Sequence, residues 1–113
     1  MDVLAFAQSW IDDWNSHDLE RVIGHYTADA EFRSPLAKQR TGDGVIRGHE
    51  ALRAYWSSAF ALRPALHFEL KAAFSGHNAI SIHYSDELGR DIVETLVFGD
   101  DGKAVLGMAC YSI

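Results

Sequence analysis

The sequence predicts an α+β domain in which three helices come first and an antiparallel sheet follows. Apolar residues recur at helical spacing in three stretches before Pro64, and from Leu66 onward the hydrophobic period changes to two. Clusters of turn residues then cut the later half into short runs, which suits a meander of neighbouring strands. With 113 residues, 48% of them hydrophobic, the chain supports one core rather than two, so a single domain over residues 1–113 is expected.

Val3, Phe6, Ala7, Trp10, Ile11 and Trp14 share one face of a first helix, with Gln8, Ser9, Asp12 and Asp13 on the other. Asn15-Ser16-His17-Asp18 interrupts the pattern with turn and capping residues, and Leu19, Val22, Ile23 and Tyr26 resume it as a short second helix. Residues 30–35 alternate around Phe32 and stop at Pro35, which reads as a short strand ending in a turn. Residues 36–47, rich in glycine and charge, read as a loop near a pocket mouth. Gly48 leads into a third helix striped with Leu52, Tyr55, Trp56, Ala59 and Phe60, and Pro64 ends it. Strands are predicted over residues 66–74, 79–85, 91–98 and 104–113.

The net charge of -6, dispersed along the chain, repels phosphate backbones and anionic lipid, so neither nucleic acid nor a membrane is an expected partner. No run approaches the ~20 apolar residues of a membrane helix, and residues 1–10 lack the pattern of a signal peptide. The lone Cys110 fits a reducing compartment, and the cytoplasm is the expected location. The six histidines show no close metal-ligand pair, and GxGxxG, P-loop and GxSxG patterns are missing. No metal and no cofactor are expected.

Trp14-Asn15-Ser16-His17-Asp18-Leu19, Tyr26-Thr27-Ala28-Asp29-Ala30-Glu31-Phe32 and Ser34-Pro35 occur in an order that resembles the NTF2-like superfamily and its SnoaL-like members. Gly48 before Ala51-Leu52-Arg53, and Gly102-Lys103 before the last strand, extend the resemblance over nearly the whole chain. It implies a cone: a curved sheet wrapped by three helices around an internal apolar pocket. The superfamily includes isomerases, polyketide cyclases, epoxide hydrolases, dehydratases, transport adaptors and ligand binders, so fold alone does not select an activity. A more distant resemblance to ketosteroid isomerases maps three positions. Ser34 stands where those enzymes carry a general-base aspartate, Trp10 where they carry a phenol donor, and Glu94 where they carry an oxyanion-stabilising acid.

Glu94 shares a strand face with Ile92, Leu96 and Phe98, so its carboxyl should point inward, where desolvation raises its pKa. The alternatives are a structural ion pair with Arg33, Arg53 or Arg90, or a strand side that faces solvent. His83 shares a face with Ala79, Ser81 and Ser85; it relays protons to Glu94 if that face is inward, and is a surface residue if Ile80, Ile82 and Tyr84 are inward. Tyr26 and Tyr111 offer hydroxyls that could orient a ligand, and Arg33 with Ser34 could hold a polar group at the mouth. Trp10, Trp14, Phe32, Tyr55, Trp56, Phe60 and Met108 supply apolar bulk for a pocket wall or for the core. Three readings follow: acid-base conversion of a small, largely apolar organic molecule at Glu94, helped by His83 or Tyr26, of isomerase, cyclase or hydrolase type; binding of such a ligand without catalysis; or a protein-interaction domain. Val93, Thr95 and Val97 form a β-rich strip on the opposite face of the same strand, which together with the resemblance suggests a homodimer through the sheet.

Overall fold

The computed structural model describes residues 1–113. Helix α1 (Val3–Asn15) starts at Asp2, whose side chain accepts a hydrogen bond from the Ala5 amide, and buries Ala7, Trp10, Ile11 and Trp14. Helix α2 (Leu19–Ile23) is capped in the same way by Asp18 and buries Val22 and Ile23. Strand β1 (Tyr26–Arg33) follows, then helix α3 (Pro35–Thr41), strand β2 (Val45–Arg47), helix α4 (His49–Leu62), and strands β3 (Glu69–Gly76), β4 (Ala79–Ser85), β5 (Asp91–Phe98) and β6 (Ala104–Tyr111).

The six strands form one curved, unclosed sheet in the order β2-β1-β6-β5-β4-β3. Strands β3 to β6 make the expected antiparallel meander. The β1–β6 pair is parallel, which the long excursion of the chain through the helices and the rest of the sheet permits. Inward residues of adjacent strands stand opposite one another: Ile82 faces Glu94 across β4 and β5, and Glu94 faces Ala109 across β5 and β6. Alternation buries Ile80, Ile82 and Tyr84 on β4 and Ile92, Glu94 and Leu96 on β5. Gly107 lies under this packing; an added Cβ would stand 3.3 Å from Tyr26 Cε1 and 3.4 Å from Leu96 Cδ2, so any larger residue would push on two buried side chains.

Two backbone clamps hold the end of α1 against the approach to β3. The Asn15 side chain donates to the Phe68 carbonyl at 2.9 Å and accepts from the Phe68 amide at 2.7 Å, and the His17 ring lies 2.8 Å from the Leu66 carbonyl. These bonds satisfy chain that precedes the sheet ladder and so cannot pair within it.

Two local expectations are corrected. The stretch predicted as a loop contains α3 and β2, so the helices number four. Ser34 and Pro35 are the reason: the Ser34 hydroxyl accepts from the Leu36 amide at 3.2 Å, and proline at the first helical position starts a helix as readily as it ends a strand. Gly42, at φ 84°, closes α3 in the left-handed region. Finally, Tyr26 opens β1 instead of closing α2, which stops at Gly24 after five residues.

Candidate functional site

A cavity of about 50 Å³ lies between the inner face of the sheet and helices α1, α3 and α4. Trp14 comes to it from the last turn of α1, and Tyr55 and Trp56 from α4, where they fall one helical turn after Leu52. The sheet contributes Phe32, Tyr84, Glu94, Ala109 and Tyr111, inward positions on four strands. Ser34 and Arg40 enter from the start and the end of α3.

Glu94 is the charged-type residue at the centre. It is only 3% exposed, and the Tyr84 hydroxyl donates to its Oε1 at 3.1 Å. Oε2 has no protein partner, and it is not sealed, since the one fully enclosed side-chain nitrogen or oxygen without a partner is Trp14 Nε1. No cation reaches the carboxyl. Arg33 pairs with Glu31, Arg53 with Glu20, and Arg90 with Asp86, which removes each of the ion pairs the sequence allowed. Burial therefore pushes Glu94 up to about 8, with the Tyr84 hydrogen bond pulling more weakly the other way. At neutral pH the carboxyl is mostly protonated, able to donate from one oxygen and accept at the other. The same burial, reinforced by the neighbouring Glu94, raises Tyr84 well above the ordinary phenol range and Tyr111 to about 12, so both hydroxyls keep their protons.

The mouth carries two arginines in different states. Arg63 donates to Glu87 at 2.7 and 2.9 Å and lies 3.3 Å from Asp86, which Arg90 also holds. Arg40 lies over the Tyr55 ring, 5.8 Å from its centroid, and has no carboxylate within 4.0 Å. No group of three or more His, Cys, Asp or Glu side chains converges anywhere as a metal site would require.

Of the residues singled out from the sequence, Glu94, Trp14, Phe32, Ser34, Tyr55, Trp56 and Tyr111 line this cavity. Five do not. Trp10 and Tyr26 lie in the core beside it, 0% and 1% exposed, with the indole nitrogen 3.4 Å from the phenol oxygen. Phe60 stacks on the His17 ring at 4.8 Å and packs against Trp14 from outside the cavity. His83 and Met108 stand on the opposite face of the sheet. Because Ile80, Ile82 and Tyr84 fill the inward positions of β4, His83 points outward to Asp91 at 3.0 Å, and no relay from it to Glu94 forms. Met108 faces Thr95 across the outward row of β5 and β6. Tyr84, Arg40, Arg63 and Phe68 are wall residues that the sequence reading missed. The alternation of β4 held the signal for Tyr84, since two isoleucines mark the inward face more strongly than two serines mark it.

The family model of the SnoaL-like domain matches residues 7–110 of the chain. Among curated proteins none matches the sequence significantly. Among solved structures, a SnoaL-like protein of unknown function from Burkholderia thailandensis E264 superposes with a TM-score of 0.95 at 38% identity, covering 98% of this chain and 94% of that one. A putative isomerase of the SnoaL-like family from Agrobacterium tumefaciens C58 superposes with a TM-score of 0.78 at 16% identity, covering 98% and 97%. The epoxide hydrolase/cyclase-like enzyme SalBIII, with a role in pyran ring formation in salinomycin, gives 0.74 at 13% identity over 97% and 90%. At such low identities the last two share the fold. No helix of the chain is long and apolar enough to cross a membrane.

Proposed function

Because this chain belongs to the SnoaL-like domain family, whose members include isomerases, cyclases and hydrolases, we propose that it binds a small, largely apolar organic molecule in the Glu94 cavity and converts it by proton transfer. The observation that carries this is Glu94 itself: a buried carboxyl without a cation, held by one tyrosine, with its second oxygen unpartnered. A structural carboxylate in such a position costs stability and returns none through pairing. A neutral carboxylic acid with a pKa of about 8 can protonate a carbonyl or epoxide oxygen and can recover the proton afterwards.

One feature favours binding without turnover. Ser34 occupies the place of a second acid-base group in the distantly similar isomerases, and its hydroxyl is engaged as the cap of α3. Proton abstraction from carbon therefore has no base other than Glu94. The outer sheet face, where Val93 and Val105 are 38% and 39% exposed, supports a homodimer, which sedimentation would detect.

The test follows the Glu94 carboxyl by NMR in wild type and in Glu94→Gln while carbonyl, epoxide and steroid-like compounds are added. A titration near pH 8 that moves on ligand addition is expected, with product formed by wild type alone if turnover occurs. A carboxyl titrating near the ordinary ~4.3, unaffected by every compound, overturns the reading.

A further inference from the structure

Arg40 and Tyr55 belong to two spaces at once. On one side they line the Glu94 cavity; on the other they border a surface groove of about 550 Å³ between α3, β2 and α4, walled by Ile46, Ala51, Ala54 and Leu62. The cavity alone admits roughly four water-sized groups, far less than the 300 Å³ or more of a typical ligand site. A molecule that reaches Glu94 must leave most of its bulk elsewhere, and the apolar groove is the neighbouring space, sharing the wall residues Arg40 and Tyr55 with the cavity.

The boundary is also where the chain keeps an uncommitted positive charge. Arg21, Arg33, Arg47, Arg53, Arg63 and Arg90 each pair with a carboxylate, leaving Arg40 as the one arginine that does not. Arg63, at the same mouth, is occupied by Glu87 and Asp86. A planar guanidinium matches a carboxylate with two parallel hydrogen bonds, and a single free one balances a monoanion. A dianionic phosphate would keep one charge unbalanced. Deeper in, Trp14 lines the same cavity as Glu94, so its indole signals report whether a ligand has entered.

We infer that Arg40 selects an organic monocarboxylate of three parts: a short carbonyl-bearing head inside the cavity near Trp14 and Glu94, a carboxylate on Arg40 beside Tyr55, and an apolar body along the α3–α4 groove. This rests on the reading of the Glu94 cavity as a ligand site, and adds the charge and shape of what enters it. Arg40 is exposed and makes no ion pair, so removing it leaves the fold intact.

The probe is 2-benzyl-4-oxopentanoate, with its primary amide as the uncharged counterpart. Affinities are measured by calorimetry for wild type, Arg40→Gln and Lys103→Gln, while NMR follows the Glu94 carboxyl and the Trp14 indole N–H. The acid should bind wild type about tenfold more tightly than the amide does, and Arg40→Gln should lose about that factor for the acid only. Lys103→Gln, which removes the same charge from a distant turn, should bind both as wild type does. Equal binding of acid and amide to wild type, with both NMR signals responding, overturns the inference and leaves the cavity reading standing. So does an Arg40→Gln variant that holds the acid as wild type does. If neither compound moves the Glu94 or Trp14 signals, the cavity reading fails and this inference falls with it.

Discussion

Replacing Glu94 by glutamine keeps the length of the side chain and a hydrogen-bond acceptor for Tyr84, and removes the titration. In the folded protein the carboxyl has a pKa of about 8, against 4.5 in the open chain. Between those values the native state holds one proton more than the unfolded state, so stability is full below about pH 4.5 and falls as pH rises, levelling off above pH 8. The difference of 3.5 units, at about 1.4 kcal/mol each, sets a ceiling of about 5 kcal/mol on the loss. Water entering beside Oε2 softens the ionised state, so about 2–4 kcal/mol is the expected change. A domain of this size has a total stability of about 5–15 kcal/mol, which makes the effect large. Urea denaturation of wild type and Glu94→Gln at intervals from pH 5 to pH 9 measures it, because every other titrating group is common to both proteins. The two should be similar at pH 5, and the variant should be the more stable by about 2–4 kcal/mol at pH 9. A stability difference that stays constant across this range would refute the claim that Glu94 is buried without a charge partner.

Tyr84→Phe removes the one hydrogen bond that lowers the Glu94 pKa, so that carboxyl should titrate about half a unit to one unit higher by NMR. Asn15→Ala leaves the Phe68 amide and carbonyl without their partner and should cost about 2 kcal/mol in urea denaturation; Asn15→Asp, which keeps only the acceptor, should cost less. Arg63→Ala strands Glu87 while Asp86 retains Arg90, and a loss of about 2 kcal/mol in thermal or urea unfolding is expected.

The fold was legible wherever one face of an element carried the pattern alone. Strands β4 and β5 run over residues 79–85 and 91–98 as predicted, because strict alternation and flanking turn residues leave little choice of boundary. The α3–β2 segment was not legible, for a physical reason. Its helix is seven residues long and buries only Ala37, so it has no hydrophobic stripe to read, and its cap, Ser34-Pro35, serves equally as a strand terminator. The parallel β1–β6 pair was hidden as well, since periodicity within a strand says nothing of the direction of a partner many residues away.

The inward setting of Glu94 was legible from Ile92 and Leu96 at the neighbouring same-face positions, whereas its surroundings were not. Whether an inward carboxyl is paired depends on where each arginine lies in space, and Arg33, Arg53 and Arg90 all stood as candidates until the structure sent each to another acid. Arg40 shows the converse. As part of a charged, glycine-bounded stretch it carried no pattern, and only the fold sets it at the junction of cavity and groove with no acid to meet it. Side-chain type and period locate the groups that must be buried. Which of them are left unsatisfied, and so free to meet a ligand, is decided by the pairing of all the others.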